Sequence, residues 1–297
     1  MARKRTTKCS KQNTLKKFGF NQTITKRITP RNREEKETLH TQLNTTIIHY
    51  DNTFKGDKIS ILDKDCIRIF YLNINGINLK KWTHSLVKLC SNLKEIGIDI
   101  ISLIETNIHW KINYIISKFK SSLQKFWTNN KITYSTSKTK TAWNSDCKPG
   151  GTATISVNNL SSSIIAKSED PSGMGRWSTL AVLGKNIKRT TIITMYRPCN
   201  VMIENVGVTT VIKQQWLIMQ KSNRYEHPHK AIITDTIKEI KKIQKEGHEI
   251  IFLIDGNELF TNAKGGIAKM CKECKLYVRI ESNRRKEGNE CCGKCNK

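Results

Sequence analysis

The chain is 297 residues long and carries 52 lysine and arginine residues against 25 aspartate and glutamate residues, a formal net charge of +27. A folded surface with this excess repels itself unless a polyanion supplies the countercharge, so nucleic acid or an anionic membrane surface is the expected class of partner. No apolar run approaches the roughly 18 residues of a membrane span, and no apolar segment follows the basic N-terminus. We therefore expect no membrane insertion, a nuclear or cytoplasmic location and reduced cysteines.

The first predicted region is a basic arm over residues 1–58. It holds 14 lysine and arginine residues against five acidic ones, with many threonines and asparagines and no sustained apolar period. Such a segment buries too little surface to offset its ordering entropy, so we expect disorder. The arm is suited to binding phosphate backbones or to nuclear localisation, and a solvated tail without either role is an equal alternative.

Residues 60–262 are predicted to form the folded domain, in which strands and helices interleave. Strands are indicated by short apolar runs, and helices by apolar residues spaced three and four apart. In chain order we predict a strand at 66–72, a helix at 79–96, a strand at 98–104, a helix at 108–123, a strand within 131–148, strands at 152–157, 177–183 and 190–196, helices at 209–221 and 229–245, and a strand at 249–254. Because hairpins join several strands, the pattern favours a mixed α/β or α+β fold.

Polar residues follow four of these strands at the point where each strand ends. They are Asn73, Glu105, Tyr196 and Asp255, the last with Asn257. Each alone is typical of a turn or a solvated surface. If the strands are neighbours, however, their ends meet at one rim, where carboxylates and amides reach a ligand without being buried unpaired. The shared placement therefore predicts a functional site at that rim.

The residues around these positions resemble the endonuclease/exonuclease/phosphatase superfamily, and most closely the apurinic-like endonuclease domain of LINE-type (non-LTR) retrotransposons. The resemblance spans roughly residues 64–260 and depends on four motifs in order: LNINGI at 72–77, IET at 104–106, MYRP at 195–198 and DGN at 255–257. The segments GGT at 150–152 and GMGRWS at 173–178 are also similar. The resemblance implies an α+β fold, namely a four-layered α/β/β/α sandwich with two mixed sheets.

The activity that this resemblance implies is metal-assisted hydrolysis of phosphodiesters in DNA. Glu105 and Asn73 would hold Mg²⁺ or Mn²⁺, because hard cations prefer oxygen ligands. By similarity, Asp255 would orient or deprotonate the attacking water, Asn257 would hold a phosphate oxygen, and Tyr196 would contact the phosphate or assist the leaving group.

Two arginines near the motifs are candidates for binding phosphate or DNA. Arg176 and Arg197 are proposed on charge alone, and a solvated surface position is the alternative for either. Trp110, which lies near the second motif, is interpreted as a core residue.

The chain departs from the family pattern in two places. The usual Asp-Phe-Asn is Asp-Gly-Asn at 255–257, which keeps both functional groups. The family also ends in a Ser-Asp-His motif, whereas the 40 residues after Asn257 contain no histidine. We therefore expect that the last strands are missing and that activity is weak or absent, because loss of a general acid or base typically costs about 10²- to 10⁴-fold in rate.

The region 263–297 is a basic, cysteine-rich tail, predicted to be a helix followed by disorder or a zinc site. Four of its cysteines have the CxxC…CxxC spacing of a structural Zn²⁺ site. The alternative is that the first pair lies on an ordinary helix, and the family carries no zinc there. The four candidate zinc ligands are Cys271, Cys274, Cys292 and Cys295.

Three functions stay open from the sequence. The leading interpretation is a DNA endonuclease domain of a retroelement. The second is a nucleic-acid-binding remnant of the same scaffold without catalysis, which the basic charge favours. The third is a phosphatase of the same superfamily, which uses the same metal chemistry but fits the basic arm less well.

Overall fold

The computed structural model describes residues 66–77, 82–139, 146–258 and 265–277, with the backbone alone for 82–85. The predicted arm at 1–58 and the tail beyond residue 277 lie outside these residues. Within these ranges the strands are β1 (Ile69–Asn73), β2 (Ile100–Ile104), β3 (Asn130–Ser135), β4 (Thr152–Val157), β5 (Ile164–Glu169), β6 (Trp177–Leu183), β7 (Arg189–Tyr196) and β8 (His248–Asp255). The α-helices of the same ranges are α1 (Trp82–Glu95), α2 (Asn113–Gln124), α3 (Val211–Lys221), α4 (Pro228–Lys245) and α5 (Gly266–Glu273).

The predicted elements are confirmed in type and order, with small differences at their ends. The strands predicted at 152–157 and 177–183 have the bounds observed for β4 and β6. The main error is β5, which the sequence did not indicate. Five of its six residues are exposed, so it has neither an apolar run nor a clear alternation, and its extended form depends on pairing with β6.

The strands form two four-stranded sheets, in the orders β1-β2-β4-β3 and β5-β6-β7-β8. Each sheet contains one parallel pair, β1 with β2 and β7 with β8, and its other pairs are antiparallel. The hairpin predicted between β6 and β7 is confirmed. Both sheets are therefore mixed, as expected for an α+β fold.

Apolar clusters divide the domain into four layers. One cluster packs α1 and α2 against the outer face of the first sheet, and a second packs α4 and α5 against the outer face of the other sheet. A third cluster lies between the sheets, where Ile100 of β2 meets Leu180 of β6 and Ile192 of β7. The order helix, sheet, sheet, helix confirms the four-layered sandwich. No helix in the described ranges is long and apolar enough to cross a membrane.

Between the sheets, next to the rim, hydroxyl groups replace apolar side chains. Thr194 on β7 donates to Ser102 on β2 at 2.9 Å and accepts from Thr154 on β4 at 2.8 Å. Thr154 also bonds Ser178 on β6 at 2.9 Å, and Thr152 donates to Ser178 at 3.0 Å. All five side chains are fully buried. We call this set the hydroxyl layer, and it forms the floor beneath the candidate site.

Candidate active site

The two parallel strand pairs place the predicted polar residues at one rim. Asn73 is the last residue of β1 and pairs in register with Ile104, directly before Glu105. Tyr196 and Asp255 end β7 and β8 and are paired with each other. Because parallel strands end on the same side of a sheet, each pair delivers two polar side chains to one edge.

A hydrogen bond between the two sheets joins these groups. The Asn73 Nδ2 atom donates to Asp255 Oδ2 at 2.8 Å, across a separation of 182 residues in sequence. The other carboxylate oxygen, Asp255 Oδ1, accepts from the backbone N–H of Asn257 at 3.2 Å. Asp255 is therefore held at both oxygens while its side chain stays partly exposed.

Tyr196 and Glu105 form a second contact at the rim. Tyr196 is only 7% exposed. Burial raises the pKa of Tyr196 well above its ordinary value, and the charge of Glu105 and its hydrogen bond with the phenol add to this. The phenol is consequently neutral at any ordinary pH and acts as a hydrogen-bond donor.

Four residues at or beside this rim have left-handed backbone conformations that non-glycine residues seldom adopt. Their φ angles are 48° at Asn75, 50° at Glu105, 52° at Asn107 and 45° at Asn257. Asparagine tolerates this region, but for glutamate it is uncommon. Such conformations persist only where surrounding contacts enforce them, and they concentrate at functional sites.

The contacts around Glu105 show how its backbone is held. Gly76 N donates to Glu105 O at 2.7 Å, and Thr106 N donates to Gly151 O at 3.2 Å. Gly151 itself has no room for a side chain, because a Cβ atom there would lie 2.9 Å from Ser135 O. The glycine turn at 150–151 therefore packs directly against the Glu105 loop.

The donor set at the rim fits a hard divalent cation. Glu105, Asp255 and Asn73 offer carboxylate and amide oxygens, the ligands that Mg²⁺ and Mn²⁺ prefer. Across the described ranges, no three histidine, cysteine, aspartate or glutamate side chains cluster as a complete metal cage. Two carboxylates match the sparse protein ligation typical of Mg²⁺, which keeps water and substrate oxygens as its other ligands.

One buried polar atom beside these groups has no partner in the described structure, namely the hydroxyl of Tyr71 on β1. Burial raises the pKa of Tyr71 above its ordinary value, and the negative charge of Asp255 adds to the shift. Tyr71 shares the inter-sheet face of β1 with Asn73, since strand side chains alternate. It thus places a second neutral phenol near Asp255, which the sequence did not suggest.

Arg176 does not lie where the sequence suggested. Its side chain is 2% exposed, and its guanidinium donates to both oxygens of Asp170, at 2.7 and 3.0 Å, and to Asp235 at 2.7 Å. These carboxylates occupy the donors that a phosphate would need. The expectation of a phosphate contact is corrected: Asp170 lies six positions from Arg176 and Asp235 lies 59 positions away, and the sequence reveals neither pairing.

Arg197 is likewise buried, at 3% exposure. Its guanidinium binds the carboxylate of Glu258 and the carbonyl of His229, the latter at 3.2 Å. The expectation that it contacts phosphate is corrected for the same reason. The backbone oxygen of Arg197, in contrast, accepts a hydrogen bond from Asn257 Nδ2 at 2.7 Å, so the Arg197 backbone contacts a residue of the site.

The cysteines of the proposed zinc site are only partly described. Cys274 is 1% exposed, and it and Cys271 pack on the apolar cluster beneath α4. Burial raises the pKa of both thiols, which disfavours the thiolate that zinc requires. These positions favour the helix-packing alternative for the first pair. Cys292 and Cys295 lie outside the described residues.

Trp110 is 1% exposed, which confirms its interpretation as a core residue.

Glu258 is a residue at the site that sequence reasoning missed. Its carboxylate accepts from the backbone N–H groups of Gly266 at 2.8 Å and Ile267 at 3.3 Å, at the start of α5. An acidic residue shortly before a helix start is a recognised sequence signal for such a contact. The signal was obscured here because seven residues separate Glu258 from the helix.

Comparisons with known proteins give a likeness of fold. No known family profile matches the sequence, and no curated protein sequence matches it. Similar solved structures include the human Nocturnin catalytic domain with bound sulfate anion (12% identity, 68% of this chain, 70% of that chain, TM-score 0.43). A second is an endonuclease/exonuclease/phosphatase family protein from Leptotrichia buccalis, with 12% identity over 70% of this chain and 74% of that chain and a TM-score of 0.38. A third is TDP2 from Caenorhabditis elegans, with 14% identity over 66% of this chain and 48% of that chain and a TM-score of 0.39. At these identities the likeness concerns the fold alone.

Proposed function

We propose that this chain is a divalent-metal-dependent phosphodiester hydrolase that acts on DNA with weak activity. The observation that carries the proposal is the meeting of four polar side chains at one rim. Asn73 and Asp255 are joined across the two sheets at 2.8 Å, and Tyr196 contacts Glu105 beside them. The formal charge of +27 supports a polyanionic substrate.

Glu105 and Asn73 are the residues that would hold the cation. When bound, Mg²⁺ or Mn²⁺ offsets the negative charge that develops on the phosphate and on the leaving oxygen. The enforced left-handed backbone of Glu105 fixes the direction in which its carboxylate leaves the strand end. The chain itself therefore contributes a preset ligand position.

Asp255 is the group that orients and deprotonates the attacking water. Its carboxylate is held by Asn73 Nδ2 and by the N–H of Asn257, so its remaining lone pairs have a defined direction. A base held in this way loses little entropy when the water binds. The exposed Asn257 side chain lies next to it, and the Nδ2 hydrogen that is not donated to Arg197 O binds a phosphate oxygen.

Tyr196 is the neutral donor of the site. Because its raised pKa keeps the phenol protonated, its single O–H, which bonds Glu105 in the free protein, turns to a phosphate oxygen or to the leaving oxygen when substrate binds. The buried position of its ring limits the access of water to that bond.

The test is nicking of supercoiled plasmid DNA in Mg²⁺ and in Mn²⁺. Glu105→Gln and Asp255→Asn are each expected to lower the nicking rate by about 10²-fold or more. The matched control is Glu249→Gln, which neutralises an exposed carboxylate at the opposite end of β8 and should leave the rate unchanged. Metal-dependent cleavage that persists in both site variants would rule the proposal out.

A second candidate, a nucleic-acid-binding protein without catalysis, is favoured by the charge excess itself. It predicts DNA binding whose affinity falls steeply with salt and does not respond to Mg²⁺ or to Asp255→Asn. No nicking by the wild-type protein, together with such binding, would select this candidate. Hydrolysis of a soluble phosphomonoester with no nicking would select a phosphatase.

We further propose that the domain derives from a LINE-type retroelement. The ordered motifs at 72–77, 104–106, 195–198 and 255–257 support this origin. The test is the nucleotide sequence around the gene. A neighbouring reverse transcriptase reading frame is expected, and a locus with no trace of one would count against the origin.

A further inference from the structure

The side chain of Arg197 lies behind the turn that carries Asp255 and Asn257. Its guanidinium contacts Gly256 O at 3.5 Å and the Glu258 carboxylate. Its backbone contacts the same turn twice: Arg197 N donates to Asp255 O at 3.0 Å, and Arg197 O accepts from Asn257 Nδ2 at 2.7 Å. One residue at the end of β7 thus contacts each residue from 255 to 258.

Glu258 extends these contacts to the next helix. Its carboxylate binds Arg197 on one side and the first N–H groups of α5, at Gly266 and Ile267, on the other. A carboxylate at a helix N-terminus is favourable because the N–H groups there lack partners within the helix. Burial opposes the charged form of Glu258, but the hydrogen bonds from Arg197, Ile267 and Gly266 outweigh it and lower its pKa.

The start of α5 is packed closely against these contacts. A Cβ atom at Gly266 would lie 2.8 Å from the Ile233 side chain and 3.0 Å from the Arg197 guanidinium. Asn257, in contrast, is exposed and has a left-handed backbone, with φ at 45°. An exposed residue in this conformation depends on its fixed neighbours to keep it.

We infer that Arg197 and Glu258 form a positioning pair, which holds the Asn257 amide and the Asp255 carboxylate in their observed arrangement and does not itself contact substrate. The kinetic part of this inference rests on the proposed hydrolase function. The geometric part does not, because it concerns the conformation of residues 255–257 in the protein without substrate.

Cys199 provides a reporter for the geometric part. Its exposed thiol donates to Asn257 Oδ1 at 3.4 Å, so displacement of Asn257 changes the surroundings of the sulfur. The experiment measures the rate of alkylation by iodoacetamide at Cys199 relative to exposed Cys147, by peptide mass spectrometry. Glu258→Gln, which removes the charge without changing the size, is expected to raise this ratio several-fold.

The matched control is Asp170→Asn, which weakens the more deeply buried ion pair of Arg176. It is expected to lower thermal stability but to leave the alkylation ratio unchanged. An unchanged ratio in Glu258→Gln, or an equal rise in Asp170→Asn, would overturn the inference.

The kinetic part is tested by the same two variants in the nicking assay. Glu258→Gln is expected to lower kcat by roughly 10- to 100-fold with KM nearly constant, because a displacement of about 1 Å has this effect on positioned groups. Asp170→Asn is expected to change neither. A raised KM with unchanged kcat would show that the pair acts in substrate binding, contrary to the inference. If the wild-type protein does not nick DNA but the alkylation ratio rises, the proposed hydrolase function fails while the positioning pair stands.

Discussion

At the scale of single residues, the site combines phenols that stay neutral, at Tyr71 and Tyr196, with the carboxylates of Glu105 and Asp255. Burial of Tyr196 and its contact with Glu105 both favour the protonated phenol. Sequence reasoning selected both residues from their positions after strands. It did not reveal their contact, because 91 positions separate them and only the packing of the two sheets brings them together.

Tyr196→Phe tests the role of the neutral donor. The variant is expected to lower the nicking rate about 10- to 10³-fold, by loss of one preorganised donor. Since the raised pKa keeps the phenol protonated, the ratio of wild-type to variant rate is expected to be constant from pH 6 to about pH 9. Measurement of both pH profiles checks this. A ratio that falls towards 1 as the pH rises would show that the phenol ionises in this range.

Lys148 is a buried cation for which the sequence offered no signal. It is 3% exposed, and its Nζ atom donates to Thr139 O at 2.9 Å. Burial, together with the nearby charge of Lys111, lowers the pKa of Lys148 to about 8. Between about pH 8 and pH 10 the unfolded chain therefore binds a proton that the folded chain has lost, and stability rises with pH in this window.

Lys148→Met removes this titration. The free energy of unfolding of the wild type minus that of the variant is expected to increase by about 1–3 kcal/mol between pH 8 and pH 10. Urea denaturation at several pH values measures it. Lys188→Met, at an exposed lysine, is the control and should give a flat difference. An equally flat difference for Lys148→Met would contradict the lowered pKa of Lys148.

At the scale of elements, the strand ends were predictable and the loops between them were not. Local apolar runs identify β4 and β6 correctly, because nearly all of their six or seven consecutive residues are buried and the sequence shows this as a short apolar run. β5 escaped prediction because it is exposed and extended only through its pairing with β6. The conformation of the loop after β5 is set by close packing of its backbone, and the glycines of the loop are the only sign of this packing in the sequence.

Gly175 shows how tightly that loop packs. Its φ is +73°, and a Cβ atom there would lie 2.4 Å from Ser137 N and 2.5 Å from Thr136 C. Gly175→Ala is therefore expected to destabilise the protein by at least about 3 kcal/mol, since backbone must move. Gly247 has a φ of +81° but nothing within 4 Å, so Gly247→Ala should cost only about 1–2 kcal/mol. Thermal unfolding compares the two, and equal costs would refute the packing explanation.

At the scale of the whole molecule, the sheets are joined at the rim by polar contacts. The hydroxyl layer satisfies its own hydrogen bonds, so it costs little desolvation and gives the two sheets a defined relative position below the site. Threonine and serine on strands are common and carry no distinctive signal. Their role follows only from the contact between four strands of two different sheets.

Thr194→Val tests the hydroxyl layer with a side chain of nearly the same shape. The variant leaves Ser102 and Thr154 each without one partner and is expected to lower the free energy of unfolding by about 2 kcal/mol. Thr190→Val, on the same strand at a partly exposed position, should stay within about 0.5 kcal/mol. Chemical denaturation measures both. A neutral Thr194→Val would show that the layer does not contribute to stability.

The sequence by itself determined the charge of the molecule, the type and order of most elements, and which polar residues end the strands. These properties depend on composition or on side chains only a few positions apart, so they are visible locally. Only the tertiary structure decided which of those residues meet. Asn73 and Asp255 bond across 182 positions, whereas Arg176 and Arg197 are neutralised by Asp235 and Glu258, which folding brings to them across 59 and 61 positions. Partner choice over such distances is set by sheet pairing and layer packing, which no local pattern encodes.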